Sequence, residues 1–267
     1  FTTLLSLIPQ TYTAQFASYK TEGDVYFNAK IIGISSPTEN PAIEVTFGSK
    51  DASFLHPTLP SKITDATFYG VFSNGVKRNT ATSYIALENI RFVFDNKLIQ
   101  GGFLFRNFEQ PYIAFDATGS VDVSSLLAFY PIADIKSAKG QLDFDIDFKG
   151  ALADLKKREG HSRIEASGEL QLNNLSIQPA KVSVSLNNLS GNFLFTKNDV
   201  AINNFSAKIG KTDLAVSGML RNVFGIVLLD NSRMLADIKV ASSFLDVEEL
   251  LAFQPDEQEP EVSDVVE

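Results

Sequence analysis

Gly140-Gln141-Leu142-Asp143-Phe144-Asp145-Ile146-Asp147-Phe148-Lys149-Gly150 alternates apolar and polar residues without a fault. Side chains of an extended chain point to opposite faces in turn. Leu142, Phe144, Ile146 and Phe148 therefore share one side, and Asp143, Asp145, Asp147 and Lys149 the other. This is a strand with one apolar and one wetted face. Gly23 to Gly33 repeats the frame at the same spacing and encloses Asp24-Val25-Tyr26-Phe27-Asn28-Ala29-Lys30-Ile31-Ile32. Working outward, strands are expected over 42–48, 63–73, 82–95, 97–106 and 111–120, then over 163–173, 181–188, 191–196, 199–209, 212–221 and 233–241. Ser73-Asn74-Gly75, Asp95-Asn96-Lys97, Lys197-Asn198-Asp199 and Gly210-Lys211 read as tight turns between them, which imply antiparallel neighbours.

The pattern recurs along the chain. Leu4-Leu5-Ser6-Leu7-Ile8-Pro9, Leu126-Leu127-Ala128-Phe129-Tyr130-Pro131 and Leu250-Leu251-Ala252-Phe253-Gln254-Pro255 share the form Leu-Leu-x-x-x-Pro. Asp122 and Asp246 precede the later two and are suited to cap short helices near 122–130 and 246–253, with the Leu pair inward and Pro as the stop. A third such helix is expected at 3–8. Ile85-Ala86-Leu87-Glu88-Asn89-Ile90 lies over Val200-Ala201-Ile202-Asn203-Asn204-Phe205, and the stretch 98–104 lies over 214–220. These anchors imply two tandem units of about 120 residues. The division is 1–9 as the end of a preceding unit, 10–131 and 132–255 as the two units, and 256–267 as an acidic tail or linker.

Composition bounds the function. A formal net charge of −9 argues against a nucleic-acid binder and against a polybasic contact with anionic membranes. The absence of cysteine removes disulfides, a thiol nucleophile and cysteine-ligated metals. No run of ~18 apolar residues reads as a membrane span. Phe1 opens within patterned sequence, so the chain is expected to be an internal fragment of a longer protein.

Little chemistry is encoded. His56 and His161 read as exposed loop residues at positions that do not match between the units. The Asp143, Asp145, Asp147 row reads as a solvated column, since a Ca²⁺ loop needs a turning backbone with a central Gly. Gly101, Gly102 and Gly218 read as bulges or bends in strands. The triplets Asn174-Leu175-Ser176, Asn188-Leu189-Ser190 and Asn204-Phe205-Ser206 match the glycosylation pattern and read as coincidence. No nucleophile elbow, zinc-binding helix, P-loop or dinucleotide fingerprint occurs, so neither an enzyme nor a cofactor is expected.

An apolar sheet face must be hidden, either by a second sheet in a sandwich or barrel or by a ligand held in a trough. Alternation does not decide between these. The 22 Phe residues and the scarcity of helix lean toward a trough.

The runs 166–176 (ASGELQLNNLS), 186–195 (LNNLSGNFLF) and 214–220 (LAVSGML), closed by Asp246-Val247-Glu248-Glu249-Leu250-Leu251, resemble the AsmA family and its TamB- and YhdP-like relatives. The likeness covers the chain to about residue 255 and is clearest in the second unit. It implies an all-β fold of two tandem repeats of curved, largely antiparallel sheet forming an open groove, with short helices at the repeat ends. It also implies a repeating β-groove lipid-transfer module in the Gram-negative periplasm, anchored to the inner membrane by a segment outside this chain. Such a module conducts phospholipid or another acyl lipid toward the outer membrane, with an outer-membrane protein as a possible partner. The groove would be lined by Val25, Phe27, Leu142, Phe144, Ile146, Phe148, Leu170, Leu172, Leu186, Phe193, Phe195, Leu214 and Val216. The competing expectation is a structural module that assists outer-membrane assembly without holding lipid.

Overall fold

The computed structural model describes residues 20–55, 62–155, 160, 163–223 and 234–251. The helix expected at 3–8, His56, His161, Pro255 and the acidic tail lie outside them. The described residues form one twelve-stranded sheet in which every strand pairs antiparallel with its sequence neighbours. The first six strands are β1 (Lys20–Ile32), β2 (Ala42–Leu55), β3 (Ile63–Ser73), β4 (Tyr84–Phe94), β5 (Lys97–Arg106) and β6 (Tyr112–Asp122). They are followed by β7 (Ile135–Ala151), β8 (Glu165–Pro179), β9 (Leu186–Thr196), β10 (Asp199–Ile209), β11 (Thr212–Arg221) and β12 (Leu235–Ala241). The sheet is not closed, and among the described residues no second sheet covers it. Its ladder continues across the expected unit boundary at Pro131, because β6 pairs with β7 from Tyr112 opposite Ala151 to Asp122 opposite Gln141.

Among the described residues three short α-helices flank the sheet: α1 (Val123–Phe129), α2 (Leu152–Leu155) and α3 (Val247–Leu251). α1 starts where expected. The Asp122 carboxylate accepts from the backbone N–H of Ser124 (2.9 Å) and Ser125 (3.3 Å), which relieves donors that a first turn leaves unpaired. Those bonds, led by the Ser124 hydroxyl, hold the Asp122 pKa below its ordinary value. Asp246 caps α3 in the same way through the N–H of Glu248 (3.1 Å). The inward Leu pair is corrected. Leu126 is exposed, and the buried residue of α1 is Ser125, whose hydroxyl donates to Asp95 in the β4–β5 turn. In the matching place Glu249 of α3 accepts from the N–H of Lys211 (2.8 Å) and Thr212 (3.3 Å) in the β10–β11 turn.

Six strands carry an Asn or Asp with left-handed backbone: Asp51 in β2, Asp65 in β3, Asn89 in β4, Asn174 in β8, Asn188 in β9 and Asn204 in β10. The ladder slips by one residue at each. These are β-bulges, which bend a strand and raise its twist. Asn and Asp tolerate this conformation because their short polar side chains bond locally. The bulges explain two departures from expectation. β2 and β8 run past the expected ends at 48 and 173, and 186–188 join 191–196 as β9, because alternation resumes in shifted phase beyond each bulge; residues 181–185, expected within a strand, lie outside β9. Gly101, Gly102 and Gly218, expected as bulges or bends, flank slips whose extra residue lies on the partner strand: the β4–β5 ladder slips between Phe103 and Gly101 opposite Asn89, and the β10–β11 ladder between Gly218 and Val216 opposite Asn204. Gly140 (φ +108°) lies opposite a bulge, and a Cβ on it would meet the Asn174 carbonyl oxygen and Leu175 Cα at 2.7 Å. Gly23 (φ +104°) faces Asp51 and Ala52 in the same way.

The register also corrects one anchor. Phe103 lies opposite Leu87, and Gly218 opposite Ile202. Residues 98–104 therefore match 213–219, one residue earlier than expected, and Leu98 faces the polar side. A one-residue slip turns every side chain over.

Candidate apolar face

Paired residues of a ladder share a face, so the register assigns each side chain to one side. Phe148 lies opposite Phe115 on β6 and Ala166 on β8, and Phe144 lies opposite Leu170, which lies opposite Phe193. Phe193 lies opposite Ile202, and Phe195 opposite Val200. Leu214 lies opposite Ala207 and Val216 opposite Phe205. Phe27 lies opposite Phe47 on β2, with Val25 on the same side. Followed strand by strand, all thirteen residues expected on the apolar side fall on one face. The face also takes in residues that were not singled out, such as Val45, Phe68, Ile90, Phe103 and Phe105. Their signal is an apolar spacing of three inside a spacing of two, as in Leu87 to Ile90 and Ile202 to Phe205. A reading tuned to strict alternation breaks at that point.

The face is unevenly covered. Leu175, Leu189 and Ala207 form a buried cluster beside the bulges of β8–β10, packed by Leu172, Leu186, Phe205, Leu214 and by Val123 of α1. Three of the expected residues, Leu172, Leu186 and Leu214, thus pack against this buried cluster. Elsewhere on the face Phe94, Val121, Val200 and Ile202 are buried too, the other expected residues are half-buried, and Phe27 is exposed. Aromatic contacts run along the face: Phe115 stacks on Phe148 (5.4 Å between ring centroids), and Phe193 meets Phe205 edge-on (5.5 Å).

The opposite face is polar and laced by side-chain bonds. Asn203 donates to Asn192 (3.4 Å), Asn192 to Gln171 (3.3 Å), Asn173 to Asp143 (2.5 Å) and Gln141 to Asp143 (2.7 Å). Lys149 pairs with Asp147 (3.1 Å), and that bond raises the lysine pKa. Asp145 is exposed as expected, whereas Asp143 is half-buried by its amide donors. A depression of about 800 Å³ opens near the Asn89 bulge, with Arg91, Gln100, Gly102, Asp116, Thr118 and Lys149 in its lining. Among the described residues no group of three His, Asp or Glu side chains is placed to hold a metal. Among them, too, no helix is long and apolar enough to cross a membrane.

Comparison of the chain with family models, with curated proteins and with solved structures finds no match.

Proposed function

We propose that this chain is a non-catalytic lipid-holding module of the AsmA-like kind, in which the bent sheet forms a groove for acyl chains. The observation that carries the reading is the apolar face, continuous over twelve strands and without a second sheet over it among the described residues. A soluble monomer rarely leaves more than a few hundred Å² of contiguous apolar surface uncovered. The ladder supports two six-stranded units. In each, strands two, three and four carry the bulge, strand one carries the glycine facing it, and a capped helix follows strand six. Apart from β12, with seven residues, strands of ten to seventeen residues span ~33–56 Å at ~3.3 Å per residue, longer than an extended acyl chain. Half-buried Phe, Leu and Val side chains attract hydrocarbon without directional bonds. Each methylene buried contributes ~0.8 kcal/mol, offset in part by the freedom lost on association. The cargo is phospholipid or another acyl lipid, and the setting the resemblance implies is the periplasm between two membranes.

The test is organic extraction of the purified chain followed by mass spectrometry. Stoichiometric phospholipid is the expected result. Lipid-free, monodisperse protein that binds no hydrophobic dye overturns the reading in favour of a structural module assisting outer-membrane assembly. Phe144→Asp and Phe193→Asp abolish capture, whereas Asp145→Asn on the polar face leaves it intact.

A further inference from the structure

The two ends of the sheet are unpaired strands. Among the described residues nothing pairs with the outer edge of β1 or of β12. Both edges expose large apolar side chains: Ile31 is 65% exposed, Ile238 42% and Val240 57%. Neither strand contains a proline, a common device for blunting an edge.

We propose that β12 of one molecule pairs antiparallel with β1 of a second copy, so that molecules join head to tail into one longer sheet. The proposal rests on the six-stranded-unit reading, and it is independent of lipid. The chain already contains the junction that would be copied, between β6 and β7. There Phe115 lies opposite Phe148, Ala117 opposite Ile146 and Thr118 opposite Asp145.

The ladder fixes the equivalents. Phe103 and Gly218 lie opposite Leu87 and Ile202, each two residues before a left-handed Asn. Phe115 lies opposite Phe103, and Ile238 opposite Gly218, so Ile238 stands where Phe115 stands. On the other side, Phe148 follows Gly140 at the distance by which Ile31 follows Gly23. The expected register therefore sets Ile238 opposite Ile31, Val240 opposite Ala29 and Ala241 opposite Asn28 of the second copy. The first two pairs join the apolar faces, so the exposed side chains of both edges are covered together. Lys239 would face Lys30, an unfavourable pair of the kind that the β6–β7 junction tolerates between Asp116 and Asp147. The contact is heterologous, so assembly continues beyond the dimer. Each copy carries a net −9, so salt should favour assembly by screening their repulsion.

The absence of cysteine permits a clean test. Ile31→Cys and Ile238→Cys are made as separate proteins and mixed under mild oxidation. A disulfide-linked dimer is expected in the mixture and in neither protein alone. Ile32→Cys, one residue along and on the other face, should not cross-link to Ile238→Cys. Sedimentation of the unmodified chain should show mass rising past the dimer with concentration and with salt. A monomer at all concentrations and salts overturns the proposal, as does either variant linking to itself as fast as the mixture links. Lipid extraction reads the groove separately, so the two readings can fail independently.

Discussion

At the scale of single residues, the β-bulges rest on backbone conformations that few side chains accept. Asn204 sits at φ +51°. A β-branched residue there pays the left-handed cost of about 1–2 kcal/mol, whereas Gly pays none. Asn204→Val should therefore lower unfolding stability by roughly that amount in urea, with Asn204→Gly near neutral. Gly140→Ala should cost more, about 1–3 kcal/mol, because strain adds to the clash with Asn174 and Leu175. Asp213 makes a prediction about pH. The Ser243 hydroxyl, then the N–H groups of Phe244 and Ser243, donate to its carboxylate and hold its pKa at about 2 against an ordinary 3.8. A depressed pKa contributes stability above the ordinary value, and that contribution is lost as pH falls toward the folded value. The urea midpoint of the native chain should therefore fall between about pH 4 and 2, and Asp213→Asn should flatten that limb.

At the scale of elements, the short helices act as clasps on strand turns. α3 has five residues and cannot persist alone, since nucleation outweighs so few backbone bonds. Glu249 ties it to the β10–β11 turn through two backbone donors. Glu249→Ala should cost about 1–2 kcal/mol and leave those donors to water. It should also speed amide exchange at Lys211 and Thr212, which hydrogen-exchange mass spectrometry can localise. Asp122→Ala should cost about 1 kcal/mol at the cap of α1. The Asp–Leu–Leu–Pro signal located these helices from sequence. Their buried contact, Ser125 against Asp95, was not legible, because nothing local says that a helix docks on a hairpin turn.

At the scale of the whole molecule, stability should be graded rather than uniform, because each strand packs chiefly on its sequence neighbours. β12 is exposed at every residue and paired on one side only, so its amides should exchange first. β7 and β8, long and paired on both sides, should exchange last. A uniform exchange profile would show that the sheet unfolds as one cooperative body.

Period-two alternation is written locally in the chain, so the strand type, the antiparallel order and the shared side of the thirteen apolar positions were legible without the fold. The capped helices were legible too, since a cap is a contact between near neighbours. The rest was settled by strand pairing. It joined 186–188 to 191–196 and left 181–185 outside β9, and it put the extra residue of each bulge at an Asn or Asp, twice across from the singled-out glycines. The triplets beginning at Asn174, Asn188 and Asn204, read as coincidence, mark the places where the ladder slips. The physical reason is that a bulge is defined by a partner strand. Which residue is extra depends on what lies opposite it, and so does whether an apolar side chain joins the buried cluster with Leu175 or stays half-covered beside Phe144.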